Sequence, residues 1–225
     1  MTTLDEFGDH LSGEILSLSA TFLPPQQGEL LRAVFALRNC VIKSAHTSAE
    51  QQVCQTQLAW WHDELDRLRN GEARHPASKR LAKALVATDR TRELMQEWVV
   101  LAQRIIERRT PENATDWQID AYRHYGAALQ IAFDNAAQPE MLRDCSNWLS
   151  LLELPRSISL DQLDAPDAPD APDGMLDATI TNDRGGLAMI TRTCKQALLR
   201  MKRTGRTPGA LYLLWLAWRS ARTTL

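Results

Sequence analysis

Cysteine is scarce in this sequence, and no two cysteines stand at the CxxC spacing typical of metal and redox sites. The four that are present, Cys40, Cys54, Cys145 and Cys194, each lie within an apolar helical pattern. A thiol in such a pattern usually packs as a small hydrophobic group. The cysteines are therefore predicted to be reduced and to bind no metal, as expected for a cytosolic protein.

Long apolar runs are missing as well. No segment approaches the ~20 apolar residues that a membrane-spanning helix needs. The first residues, MTTLDEFGDHLSGEIL, are acidic and lack the basic and then apolar order of a secretory signal. These absences predict a cytoplasmic protein. With 225 residues, 44% of them hydrophobic, the chain is long enough for one sizeable core.

The apolar residues follow a helical period, without the alternation of strands and helices that marks a parallel sheet. Residues typical of helix starts support this interpretation, because capping boxes begin at Ser48 and Thr115 and a proline follows Thr207. The pattern predicts an all-α fold with helices near 4–20, 27–46, 49–69, 77–88, 91–109, 116–136, 139–154, 183–203 and 208–223.

One segment interrupts the helical pattern, because an Ala-Pro-Asp triplet occurs three times between Ala165 and Asp173. Proline at every third position fixes φ and removes backbone donors, which predicts an extended, solvated linker at 164–174. The helices after this linker are too few to bury their own apolar faces. Residues 1–225 are therefore predicted to form a single domain that contains the linker.

The stretch QLAWWHDELDRLRNGEARHPASKRLA combines two tryptophans, several acids and an Asn-Gly helix stop. On a helix, Trp61 shares one face with the leucines, and Trp60 is expected at an adjoining contact. The acids are expected to face solvent and to pair with nearby arginines. A metal site at His62 and Asp66 would need a third ligand that the sequence does not indicate. The pattern favours a helix with one buried face over an acidic catalytic site.

The segment LAWWHDELDRLRNGEARHPASKRLA resembles the Trp-rich helix of the squalene/phytoene synthase family, in which WWxxELxxL is followed by a glycine and then by HP. Weaker similarity extends to AVFALRNCVIKSAH, DAYRHYGAAL and PRSISLDQL. The resemblance implies an isoprenoid synthase fold, an all-α bundle around a deep and largely apolar cavity. Active members hold two prenyl diphosphates there, and Mg²⁺ bound by two aspartate-rich motifs neutralises the leaving group.

The chain departs from that family at both metal motifs. Where the first aspartates are expected, the segment VIKSAH has Ile42, Lys43 and His46. The region of the second motif, Cys145 to Ser157, contains only Glu153, with Asp144 just before it. A single carboxylate cannot replace two facing clusters. The resemblance therefore implies a relative that lacks transferase activity and needs no cofactor. Members of the family without the aspartates include an assembly factor for respiratory complex I.

Two functions stay open after this comparison. The first is a binding protein on a synthase scaffold, which holds a prenyl lipid or acts in assembly with a protein partner. The second is a prenyl transferase of isoprenoid biosynthesis, which condenses prenyl diphosphates with Mg²⁺. The residues predicted to line a binding pocket are Arg38, Trp61, Tyr122 and Gly126.

Each pocket candidate also has a simpler structural interpretation. Arg38 is suited either to an anionic head group or to a solvated position on its helix. The small residues that follow Tyr125 suit a cavity or close helix packing. The single histidines His62 and His124 are expected at the surface, without partners.

Basic charge is concentrated at the C-terminal end. Nine Lys or Arg and no acid lie from Arg184 to Leu225, although the net charge of the chain is −2. The segment 211–218 is apolar almost all round, which suits a core helix or one at a membrane interface. The basic flanks favour peripheral contact with an anionic surface, such as the inner membrane, or with a partner. No Gly-rich or aromatic-interleaved motif indicates nucleic-acid binding. The contact candidates are Lys202, Arg203, Arg206, Trp215 and Trp218.

Overall fold

The computed structural model describes residues 11–107, 120, 122–133, 139–152, 182–204 and 208–224. Within these residues the regular structure is helical and contains no strand, which confirms the predicted all-α class. A 3₁₀ turn covers Ser44–His46, and a π-helical segment covers Tyr122–Gly126. The α-helices are α1 (Leu11–Phe22), α2 (Pro25–Lys43), α3 (Gln51–Arg69), α4 (Pro76–Ala84), α5 (Asp89–Ile106), α6 (Ala127–Ala132), α7 (Pro139–Leu151), α8 (Asn182–Thr204) and α9 (Ala210–Thr224).

Proline and glycine determine how α1 and α2 meet. Pro24 precedes α2 and Pro25 is its first residue, where a missing N–H removes no helical hydrogen bond. At Gly28 a Cβ atom would lie 2.4 Å from the carbonyl oxygen of Ala20, so the close approach of the two backbones requires glycine. Besides α1, helix α2 packs against α4, α5 and α6. It is therefore a central helix of the described bundle.

Local chemistry fixes the turns between α3, α4 and α5. After α3, Gly71 adopts a φ of +78°, which lies in the left-handed region that favours glycine. His75 caps α4, because its Nδ1 accepts a hydrogen bond from the Ala77 amide at 3.2 Å. Thr88 caps α5 by accepting from the Thr91 amide at 3.2 Å. These caps let α3 pack along α5 and let α4 pack along α2.

One hydrophobic cluster contains buried residues from each of the helices α1 to α9. Its largest fully buried side chains include Trp98 and Phe35. Helices α8 and α9 pack against each other and against α1, and α8 also packs against α7. Among the described helices, none combines the length and the apolarity that crossing a membrane requires.

The structure corrects two predicted helix starts. Ser48 accepts a hydrogen bond from the Glu50 amide at 3.0 Å, but the N-cap of α3 is Glu50. Helix α9 begins at Ala210, so Pro208 lies before its first turn. The predicted start at Thr115 and the predicted linker at 164–174 lie outside the described residues. All four cysteines are free and three of them are buried, as predicted for thiols that pack as small hydrophobic groups.

Candidate functional site

Arg38 is a charged residue inside the core. It follows Leu31, Val34 and Phe35 at the spacing of one helix face, so α2 directs it inward with them. Only 5% of the residue is exposed, and the interpretation of Arg38 as a solvated charge is therefore wrong. Its Nη1 donates a hydrogen bond to Asn39 Oδ1 at 3.1 Å. Within the described part of the chain, its Nε has no hydrogen-bond partner and no carboxylate forms an ion pair with it.

Aromatic rings stand beside the guanidinium where a carboxylate would be expected. The Arg38 Cζ atom lies 4.4 Å from the ring centroid of Tyr125 and 5.9 Å from that of Phe35. Cation–π contacts contribute about 2 kcal/mol when they are desolvated. Burying an ion costs several kcal/mol. The described contacts therefore compensate the charge of Arg38 only in part.

His124 is a second buried polar residue, with 5% of its surface exposed, and it precedes Tyr125, whose ring contacts Arg38. Neither ring nitrogen makes a hydrogen bond of ordinary length and angle with the described residues, and the backbone of Glu97 provides only a weak contact. Burial, followed by the positive charges of Arg38, Arg104 and Arg123, lowers the pKa of His124 to about 3. The imidazole is therefore neutral at physiological pH. The prediction that His124 lies at the surface is wrong, because the π-helical segment that carries it is enclosed by other helices.

Several elements hold that π-helical segment in place. The indole N–H of Trp98, on α5, donates to the backbone carbonyl of His124 at 3.3 Å. The Tyr125 hydroxyl donates to Ser12 Oγ, on α1, at 3.3 Å. The segment also packs against α7, where Asn147 Oδ1 is buried without a partner in the described part of the chain. Short π-helical segments are frequent at functional sites.

The Arg38–His124 site, defined by these two side chains, offers a positive charge and hydrogen-bond donors that are already desolvated. The guanidinium Nε–H and one nitrogen of the neutral imidazole can each donate to an acceptor. Carboxylate and phosphate oxygens are the acceptors that suit a guanidinium best, because the hydrogen bond is then assisted by charge on both sides. The arrangement is thus suited to holding an anion.

The Trp-rich block has a different buried charge, Glu64, at its centre. This residue is fully buried. Its Oε1 accepts from the backbone amides of Arg74 at 2.7 Å and His75 at 2.8 Å, and its Oε2 accepts from Arg67 Nε at 2.9 Å. Burial raises the pKa of Glu64, but the hydrogen bonds outweigh that effect and the net pKa is lowered. The prediction that the acids of this stretch face solvent is wrong for Glu64.

The two tryptophans of the block differ as the sequence predicts. Trp61 is buried, whereas 41% of Trp60 is exposed. The ring of Trp61 lies 4.7 Å from the ring of His75, centroid to centroid, and 5.1 Å from that of Trp60. Trp61 therefore lies at the corner between α3 and α4, whereas Arg38 contacts the π-helical segment.

His62 and Asp66 belong to an ion-pair network at the surface. Arg92 donates from Nε to Asp66 Oδ1 at 2.9 Å, and its Nη2 lies 3.1 Å from His62 Nε2. A guanidinium thus already connects the two side chains, and the expectation that His62 has no partner is wrong. An open groove of about 350 Å³ runs beside them, lined by His62, Asp63, Leu58 and Gln103 among others.

The remaining predicted site residues lie in two places. Gly126 is buried at the end of the π-helical segment, next to Tyr125, and Tyr122 begins that segment. Trp215, Trp218 and Arg203 are exposed on α8 and α9. The side chains of Tyr122 and Lys202, and the whole of Arg206, lie outside the described part. His124 was missed as a site residue, although it precedes a run of apolar and small residues typical of a buried helix.

Together these observations define an all-α bundle with an incompletely paired cation in its core. Within the described residues, no group of three or more His, Cys, Asp or Glu side chains is arranged to hold a metal ion. No protein-family model matches the chain, and comparisons with curated proteins and with solved structures find no match either.

Proposed function

We propose that this protein is a non-catalytic binding protein on a squalene/phytoene-synthase-like bundle, and that it holds the anionic head group of a prenyl lipid at the Arg38–His124 site. The observation that supports this function is the buried guanidinium of Arg38, which has no carboxylate partner among the described residues. An uncompensated buried charge costs several kcal/mol, and an anionic ligand would remove that cost.

The neighbouring imidazole supports the same proposal. His124 is neutral and neither ring nitrogen makes a well-formed hydrogen bond in the described structure, so it can donate to an anion without adding charge of its own. The rings of Phe35 and Tyr125 border the arginine with apolar surface. A head group at Arg38 would therefore have aromatic surface beside it, which suits an amphiphile better than a fully hydrated anion.

The prenyl transferase alternative depends on the family resemblance alone. At the positions expected for the first aspartate motif, Ile42 ends α2 together with Lys43, and His46 lies exposed in the 3₁₀ turn. An apolar residue and two basic groups cannot bind Mg²⁺, which prefers carboxylate oxygens. This difference in sequence favours binding over diphosphate ionisation.

Calorimetric titration with farnesyl diphosphate, in the absence of added Mg²⁺, tests the proposal. We expect the wild type to bind the diphosphate and to bind farnesol, its uncharged counterpart, at least tenfold more weakly, since a charged hydrogen bond contributes about 1.5–3 kcal/mol. Arg38→Met should lose this preference for the charged ligand. Arg90→Gln, which changes an exposed arginine on α5, serves as the matched control and should bind like the wild type.

Stability without ligand gives a second, independent measurement. Arg38→Met should unfold within about 1 kcal/mol of the wild type or be more stable, because the substitution removes a poorly compensated buried charge. Unchanged diphosphate binding by Arg38→Met would contradict the proposal. Formation of a condensed prenyl product with Mg²⁺, abolished by a chelator, would establish the transferase alternative instead.

A further inference from the structure

Helix α9 has two apolar faces, and the described residues pack against only one of them. Leu213, Leu216 and Ala217 are fully buried, because α9 packs against α8 and α1. On the other side, residues at the i, i+3, i+4 and i+7 positions are exposed, with fractions from 40% at Leu214 to 84% at Leu211. We refer to this exposed side as the tryptophan face, and it consists of Leu211, Leu214, Trp215 and Trp218.

Guanidinium groups accompany the two exposed indoles. The Cζ atom of Arg219 lies 5.3 Å from the ring centroid of Trp215, and that of Arg222 lies 4.8 Å from the ring centroid of Trp218. Each pair combines a large apolar ring with a positive charge at its edge or face. Soluble proteins seldom expose contiguous apolar groups of this kind unless the surface binds something.

The neighbouring helix continues the same surface chemistry. On α8, 52% of Leu199 is exposed, and the Cζ atom of Arg200 lies 3.9 Å from the ring centroid of Tyr212 on α9. The sequence contains no acidic residue from Arg184 to Leu225, so this part of the chain supplies only positive charge. The occupant of the tryptophan face should therefore be apolar at the contact and negatively charged around it.

We infer that the tryptophan face binds the surface of an anionic lipid bilayer, with α9 lying parallel to the membrane plane. Tryptophan prefers the interface between headgroups and acyl chains, where its ring is buried and its N–H remains hydrated. Arginine can extend its charged end to the lipid phosphates while its stem stays in apolar surroundings. Because the opposite face of α9 is packed in the bundle, only one side of the helix enters the lipid.

A second copy of the chain is a poorer occupant of this face. A two-fold contact would place the tryptophan faces of two copies against each other. This contact would gather Arg219 and Arg222 of both copies in one interface, and residues 184–225 contain no acid that could offset those like charges. A lipid surface supplies both the apolar contact and the negative charge.

Cosedimentation of the full chain with lipid vesicles tests this inference. We expect binding to phosphatidylcholine vesicles that contain about 30% phosphatidylserine, and little binding to phosphatidylcholine alone, because the attraction depends on the surface charge. Raising the salt from about 50 to about 500 mM should weaken binding strongly by screening. Arg219→Gln with Arg222→Gln should weaken it about twenty-five-fold, from two charges of about fivefold each.

The aromatic contribution has a matched control within the chain. Trp60 is exposed to 41% and has Arg67 5.5 Å from its ring centroid, much as Trp218 is exposed to 44% beside Arg222. Trp218→Ser should weaken vesicle binding about tenfold, whereas Trp60→Ser should leave it unchanged. Circular dichroism melts of both variants establish that they are folded.

Several results would overturn the inference. These are the absence of binding to anionic vesicles at low salt, binding that ignores both salt and the arginine substitutions, and an equal effect of Trp60→Ser and Trp218→Ser. Gel filtration tests self-association by measuring the oligomeric state. If the wild type is a dimer and Trp218→Ser is a monomer, the tryptophan face binds a second copy of the chain instead of a membrane. The experiment does not involve the Arg38–His124 site, so its outcome is independent of the proposed binding function.

Discussion

Replacing Glu64 with alanine is expected to lower the free energy of unfolding at pH 7 by about 3–5 kcal/mol. The carboxylate accepts three hydrogen bonds, of 2.7, 2.8 and 2.9 Å, from two backbone amides and one guanidinium. Hydrogen bonds to a charged group contribute about 1.5–3 kcal/mol each. The loss of stability should be smaller than the sum of these three hydrogen bonds, because Arg67 is already partly exposed and can turn toward water after the substitution.

Glu64→Gln separates the charge from the shape of the side chain. Its carbonyl oxygen can still accept from the amides of Arg74 and His75, but its NH₂ group then faces the N–H of Arg67, so two donors oppose each other. We expect a loss of about 1–3 kcal/mol. Asp63→Asn, at the exposed neighbouring position, is the matched control and should change stability by less than about 0.5 kcal/mol.

The pH dependence gives the sign of the electrostatic contribution. The pKa of Glu64 is lowered from an ordinary value of 4.5, so its stabilising contribution is complete above that pH and is lost as the pH falls through the folded pKa. The difference between wild type and Glu64→Gln should therefore shrink in acid. Urea unfolding followed by circular dichroism at pH 7 and below pH 4.5 measures both quantities. If Glu64→Ala at pH 7 unfolds within about 0.5 kcal/mol of the wild type, the carboxylate does not hold the loop before α4.

Two further predictions concern packing and protonation. Gly28→Ala should destabilise the fold by about 1–3 kcal/mol, because its Cβ would meet the Ala20 carbonyl oxygen. Gly209→Ala is the control, and it should cost less than about 1 kcal/mol because a Cβ there would have no atom within 4 Å. Urea unfolding measures both changes. His124 should contribute about 2 kcal/mol to the stability that the wild type loses between pH 7.5 and pH 5, since an unfolded histidine gains a proton below about pH 6.5 and buried His124, with a pKa of about 3, does not. His124→Gln should remove most of that contribution, and an unchanged pH dependence in this variant would contradict the burial of a neutral imidazole.

Helix positions could be predicted from the sequence because burial imposes a regular period on the apolar residues. Helix ends were less predictable, since they depend on single residues. The helix predicted to run to residue 88 stops at Ala84, because Leu85 turns to an extended conformation with a φ of −148°. Thr88 then caps α5, so the residues between the two helices form the connection. A threonine before an acidic first turn was a signal for this boundary.

The same helical period of apolar residues predicts that two charged residues, Arg38 and Glu64, lie on inward helix faces. Arg38 repeats the spacing of Leu31, Val34 and Phe35, and Glu64 lies three residues after Trp61. The usual exposure of charged residues argued against both positions. The periodicity also could not identify the partners of Glu64, because the amides of residues 74 and 75 come from an irregular loop. Partners of this kind depend on the tertiary structure.

The contrast between these two charges separates structure from proposed function. Glu64 has hydrogen-bond donors at both carboxylate oxygens, as expected of a charge that is buried to hold the fold together. Arg38 makes one hydrogen bond, to its neighbour Asn39, and contacts two aromatic rings. These contacts with the described residues compensate only part of the free-energy cost of burying its charge. Neutralising Glu64 should therefore lower stability, whereas neutralising Arg38 should affect ligand binding and leave stability nearly unchanged. A stability loss at Arg38 as large as that at Glu64 would mean that both charges are structural, and the proposed anion site would then lose its main support.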